Sequence, residues 1–210
     1  MTPELEQKVL SVLPPGEKLT AGFEVSRSLA FSRSRDGSSS APDSRRPRVL
    51  VGQEEAGDGW SRFVSRFFRV FTTDVPAQQR GVAVEGPSLR GKRQKNRDSF
   101  FGGWDSLAGQ FLIAGQPQSK TGAAAVVAVT DVCMRFVYVQ YRRVRGGLGE
   151  AVELGASFPH DVLVWTRRHE PKNEMQFGFR DGSWGTLFVP GDADFMRCFP
   201  GTLGHEEPIP

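Results

Sequence analysis

"AAAVVAVTDVCMRFVYVQYRR", residues 123–143, decides the fold. The first nine residues are almost continuously apolar, with three valines, and read as a strand buried on both faces. "TD" at 130–131 breaks the run. The chain then resumes as "VCMRFVYVQYRR" (132–143), rich in β-branched and aromatic residues, and reads as a second strand. Two such runs joined so tightly form a hairpin, and a hairpin needs further strands to bury its face.

Downstream the pattern stays β. "AVELGASFP" (151–159) and "DVLVWTRRH" (161–169) read as strands, and "MQFGFRD" (175–181) places Met175, Phe177 and Phe179 on one face. "DG" at 181–182 is a hairpin turn that leads into "SWGTLFVP" (183–190). "GDADFMRCF" (191–199) reads as a short helix that Asp192 can cap. Upstream, "TPELEQKVLSVL" (2–13) reads as a helix with Thr2 as cap, Pro3 in the first turn and an apolar edge of Val9, Leu10, Val12 and Leu13. "PPG" (14–16) stops it, and "EKLTAGFEV" (17–25) reads as the first strand. "FFGGWDSLAGQFLIAG" (100–115) holds one apolar element that could be helix or strand. The fold class is therefore mainly β: a partly open antiparallel barrel of about seven short strands with a helix at either end of the chain and a long inserted segment.

The chain divides into an N-terminal helix and first strand (1–25), a Ser/Arg-rich linker (26–59), an insertion (60–122), the main β part (123–200) and a tail (201–210). "SRSRDGSSSAPDSRRPR" (32–48) has scarcely an apolar residue and is expected to be a mobile tether rather than an RNA-binding Ser-Arg tract.

Three stretches resemble a bacterial pleckstrin-homology-like or GRAM-like domain. "PPGEKLTAGFEV" (14–25) is similar to the Pro-Gly-Glu turn that precedes that family's first strand. "VVAVTDVCMRFVYV" (126–139) resembles its Val-Thr-Asp turn and basic-aromatic strand. "MQFGFRDGSWGTLFV" (175–189) resembles its late Asp-Gly-Ser hairpin. The resemblance implies a partly open barrel with a helix plugging one end. It also implies binding to membranes or proteins rather than catalysis. Residues 26–122 depart from it as an unusually long insertion after the first strand.

Composition narrows the function classes. The net charge is only +3, but residues 60–100 hold nine Lys/Arg against three acids, so the basic surface is local. Such a surface attracts phosphate, anionic lipid or an acidic partner. The longest apolar run is far short of the roughly 20 residues that a membrane span requires. The N-terminus has no basic, then apolar, leader pattern. A cytoplasmic protein, alone or peripheral to a membrane, is the expectation.

Two stretches carry the binding expectation. "WSRFVSRFFRVF" (60–71) fits a helix whose Trp60, Phe63, Phe67, Phe68 and Phe71 lie on one side, with Arg62, Arg66 and Arg69 opposite. Covering five aromatics is worth on the order of 10 kcal/mol, so the face is expected to dock on the barrel, a membrane interface or a partner. "RGKRQKNR" (90–97) carries Arg90, Lys92, Arg93, Lys95 and Arg97 and no apolar residue, and fits an anionic lipid surface or an acidic protein. Nucleic acid is a further alternative, less favoured because Phe100, Phe101 and Trp104 follow the cluster instead of alternating with it. An assembly role, including self-association through helix 60–71, is the runner-up.

Nothing in the sequence argues for an enzyme, a cofactor or a metal. "AGQPQSKTG" (114–122) resembles a phosphate-binding loop, but Ser119 stands where the glycine before the lysine belongs, so a surface turn is expected. His160, His169 and His205 are scattered, and Cys133 and Cys198 read as packing thiols. "DGSWG" (181–185) is turn chemistry, not a nucleophile elbow.

Overall fold

The structure is a computed structural model that describes residues 1–28, 41–50, 100–141, 147–169, 174–190, 197–199 and 202–203. Its elements are helix α1 (Pro3–Leu10), strands β1 (Leu19–Arg27) and β2 (Phe100–Phe101), helix α2 (Leu107–Ala114), and strands β3 (Ala123–Thr130), β4 (Cys133–Tyr141) and β5 (Leu148–Pro159). A 3-10 turn (His160–Val162) leads to β6 (Leu163–His169), β7 (Glu174–Phe179), β8 (Trp184–Phe188) and β9 (Thr202–Leu203). The strand order is β5-β4-β3-β1-β8-β7-β6-β9, with β2 added on β8. Every pairing is antiparallel except β6 with β9. β1 joins two halves: Leu19–Val25 pair with β3, and Ser26 and Arg27 with β8. β5 and β6 are not neighbours in the sheet, so it curls without closing. The mainly β, partly open architecture read from the sequence is the one observed.

β3 shows why its sequence is apolar throughout. Ala125, Val127 and Val129 face the main core, while Ala124, Val126 and Ala128 face α1 on the other side of the sheet. Small alanines at two of the three outer positions let the helix approach closely. Thr2 caps α1 by accepting from Leu5 N, and Pro3 occupies its first turn, as the sequence indicates. The buried positions are Leu5 and Val9, one turn apart, whereas Leu10, expected on the apolar edge, is exposed. The sheet surface accepts one face of so short a helix, and Leu10 lies outside it.

The main core is centred on α2. Phe111 lies 4.9–5.3 Å, ring centre to ring centre, from Phe136, Phe158, Phe177 and Phe179. It therefore bridges β4 and β5 on one half to β7 on the other. The apolar element left open at 100–115 is thus two elements: a two-residue strand and a helix that fills the barrel. The helix expected at 191–199 lies outside the described residues over 191–196.

Both ends of α2 are fastened by the barrel. At its start, Leu107 N donates to Asp181 Oδ2 (2.8 Å) and Ala108 N to Ser183 Oγ (3.0 Å). The Asp-Gly-Ser turn that joins β7 to β8, with Gly182 at φ +77°, therefore also satisfies the free amides of a helix far away in sequence. At its other end, the Tyr138 hydroxyl donates to Ala114 O at 2.9 Å, and Tyr138 is fully buried. The tyrosine ring lies against Gly155, where a Cβ would come within 2.5 Å of it. Burial first, then the Glu153 charge, pushes the phenol pKa up, so it stays a donor at all ordinary pH. Tyr138→Phe leaves Ala114 O without this partner; the expected loss is about 1–3 kcal/mol in a urea titration.

Candidate functional site

The register defines two ends of the barrel. One end gathers the close of β1, the start of β3, the close of β4 and the start of β5, with Val25 opposite Ala125 and Tyr141 opposite Leu148. The opposite end gathers the start of β1, the β3–β4 turn, the 3-10 turn and the β7–β8 turn.

At the opposite end two of the quoted motifs meet. Glu17, from the Pro-Gly-Glu turn, takes two hydrogen bonds from Arg135 Nε (2.8 and 3.0 Å) and one from Nη2 (2.8 Å). The Thr130 hydroxyl also donates to it, and the Cys133 thiol lies 3.7 Å away. Lys18 N donates to Asp131 Oδ1 at 2.9 Å, and Asp131 N donates to Lys18 O at 3.0 Å. The Glu17 and Arg135 side chains are 4% and 12% exposed, so this is a shielded pair that clamps the chain before β1 onto the β3–β4 hairpin. It is built to hold a turn: both Glu17 oxygens and the Nε and Nη2 of Arg135 are engaged with one another. The Arg135 guanidinium holds the Glu17 carboxyl below its usual range, against the opposing effect of burial. Because the folded-state pKa is the lower one, the carboxylate stabilises the fold fully above about pH 4.3, its unfolded value. That contribution is lost as pH falls through the lowered value. Acid unfolding followed by tryptophan fluorescence is expected to begin below about pH 4 and to flatten in Glu17→Gln. Burial raises the Cys133 thiol pKa, which keeps it a protonated packing group at neutral pH.

At the first end the chain leaves the barrel. Ser28, next after β1, is fully buried and its hydroxyl donates to Glu174 Oε1 at 2.6 Å. Residues 41–50, inside the segment read as a linker, are packed: Ala41 and Val49 are almost wholly buried. Val49 N donates to Gln118 O and Gln118 N to Pro47 O, at 3.0 and 2.8 Å. "AGQPQSKTG" is accordingly not a bare surface turn, because 41–50 pair with it. Nor has it the order of a phosphate-binding loop, since the helix precedes it and a strand follows. Arg46 fixes the same loop by donating to Gln116 O (2.8 Å) and Pro117 O (3.3 Å), and pairs with Asp43 at 3.2 Å. Leu50, at φ +57°, donates its N–H to Glu153 Oε2 at 2.7 Å. A cleft of about 240 Å³ opens here, between Val25, Ser26 and Arg27 of β1, Ala123 of β3, and Arg46 and Gln116. Its residues come from β1, the Ser/Arg-rich tract, the start of "AGQPQSKTG" and β3, which only the fold brings together.

The residues expected to bind a membrane or partner, Trp60 to Phe71 and Arg90 to Arg97, lie outside the described residues. What is described is how their segment is attached. Residues 51–99 start from Leu50, anchored on β5, and end at Phe100, which pairs with Gly185 of β8 and packs on Trp104 at 4.9 Å. Among the described residues no group of three or more His, Cys, Asp or Glu could hold a metal. His160 Nε2 lies 2.8 Å from Thr130 O, a turn contact. No helix among the described residues is long and apolar enough to cross a membrane. No protein-family model, curated protein or solved structure matches the chain.

Proposed function

We propose that this chain is a non-enzymatic, pleckstrin-homology-like binding module that docks on an anionic membrane surface through its inserted basic segment. One observation carries the reading: the segment with nine basic residues and three acids is spliced into a rigid β body and attached at both ends, by Leu50 on β5 and Phe100 on β8. Binding residues on loops held by a stable scaffold are the common design of recognition domains. The β meander, joined end to end through β1 and filled by a helix, supports the resemblance read from the turns. In this chain a helix from the insertion, α2, fills the core.

The test is co-sedimentation of the full chain with anionic and neutral vesicles at low and high salt. Binding selective for anionic vesicles and weakened by salt is the expected result. No vesicle binding at low salt would overturn the membrane reading. A gel shift on nucleic acid or a soluble dimer in light scattering would then point to the alternatives.

A further inference from the structure

We propose that Phe101, with the uncharged turn behind it, is an apolar anchor that enters the interface of the anionic membrane to which the basic segment docks. This anchor presupposes the membrane reading and adds an apolar contact to its charges. Phe101 is 61% exposed, which no other large apolar side chain among the described residues exceeds. A single exposed phenylalanine is ordinary on a protein surface. This one differs in how it is held and in what adjoins it.

The fold holds Phe101 outward. Phe100 and Phe101 pair with Gly185 and Trp184 of β8, so strand alternation turns Phe100 toward the core and Phe101 away from it. The turn that follows is equally fixed. Gly102 sits at φ +113°, where a Cβ would come within 2.8 Å of Ser106 Oγ and 2.9 Å of Ser183 Cβ. Gly103 O accepts from Ser106 N at 2.9 Å and from Ser106 Oγ at 2.6 Å. Phe101, Gly102 and Gly103 are all exposed, and none carries a charge. Trp104, half-buried with its ring 4.9 Å from that of Phe100, closes the turn. Such residues enter a lipid interface without stripping a charge of its water, and the indole N–H of a tryptophan suits that depth. Asp105, the nearest acid in sequence among the described residues, is paired with Arg45.

The partner follows from charge. The five cations of 90–97 end at Arg97, four residues before Phe101. Four residues span at most about 14 Å in any conformation, so the last of the cations stays within reach of the surface that Phe101 meets. An anionic bilayer supplies both the charge that attracts the cluster and the apolar boundary that covers the ring. Salt screens the first contact and leaves the second intact.

The experiment is partitioning of the full chain onto phosphatidylcholine vesicles with and without phosphatidylserine, at low and high salt, for the wild type, Phe101→Ser and Phe101→Trp. Phe101→Ser is expected to keep its preference for phosphatidylserine and its unfolding midpoint, and to bind about tenfold more weakly. The emission that Phe101→Trp adds to the wild-type spectrum is expected to shift to the blue on phosphatidylserine vesicles and to be quenched by lipid brominated on its acyl chains. This second variant serves if the first does not fold. Undiminished binding by folded Phe101→Ser would overturn the proposal and leave the membrane reading standing. So would an added tryptophan emission that neither shifts nor is quenched in vesicle-bound protein. No binding by the wild type at low salt would overturn both.

Discussion

Arg135→Ala is expected to destabilise the fold by about 3–5 kcal/mol, because it leaves the Glu17 carboxylate shielded and without its guanidinium. The side chain of Glu17 is 4% exposed, so water cannot replace the three Arg135 contacts without opening the turn. The pair itself need not be strongly stabilising, since desolvation opposes its attraction. The double variant Glu17→Leu, Arg135→Leu is therefore expected to regain most of the loss. A urea titration of the wild type, the single variant and the double variant checks both statements. A double variant no more stable than Arg135→Ala would show that the pair contributes through its charges and not through the cost of an orphaned one.

Phe111→Ala is expected to cost about 3–5 kcal/mol, at the upper end for a core aromatic. Phe111 is 1% exposed and meets four other phenylalanines drawn from both halves of the barrel. Its neighbours are held by strand pairing and cannot collapse into the space, so the cavity term stays large. The same substitution should loosen α2 and with it the anchoring of the insertion. Thermal unfolding by circular dichroism, with amide exchange of residues 107–114, measures both effects. A loss below about 1 kcal/mol would mean that α2 is not integral to the core.

The strands were legible because local chemistry and global position agree. In β3 and β4, β-branched and aromatic residues sit where burial on one or both faces wants them, and Thr130 and Asp131 close the turn between them. Thr2 and Pro3 mark the start of α1 by backbone chemistry alone. α2 was less legible for a physical reason. It is buried nearly all round, at Ala108, Gly109, Phe111, Leu112 and Ala114, so no polar stripe reveals its period. Ser106 caps it locally by accepting from Gly109 N, but its first two amides are satisfied from far away: Asp181 and Ser183 read as turn residues, and only the fold brings them to Leu107 and Ala108. The cleft was invisible for the same reason. Arg46 looked like part of a Ser/Arg-rich tether, yet its guanidinium spans two main-chain carbonyls of the loop that follows α2.

The basic segment was legible as charge, and charge is what its proposed role turns on. The most direct measurement compares anionic-vesicle partitioning of the wild type with a variant in which Arg90, Lys92, Arg93 and Lys95 are all glutamine. At about 1 kcal/mol per basic side chain near an anionic surface, partitioning is expected to fall a hundredfold or more, with the unfolding midpoint unchanged. Undiminished binding to anionic vesicles by a folded variant would contradict the account.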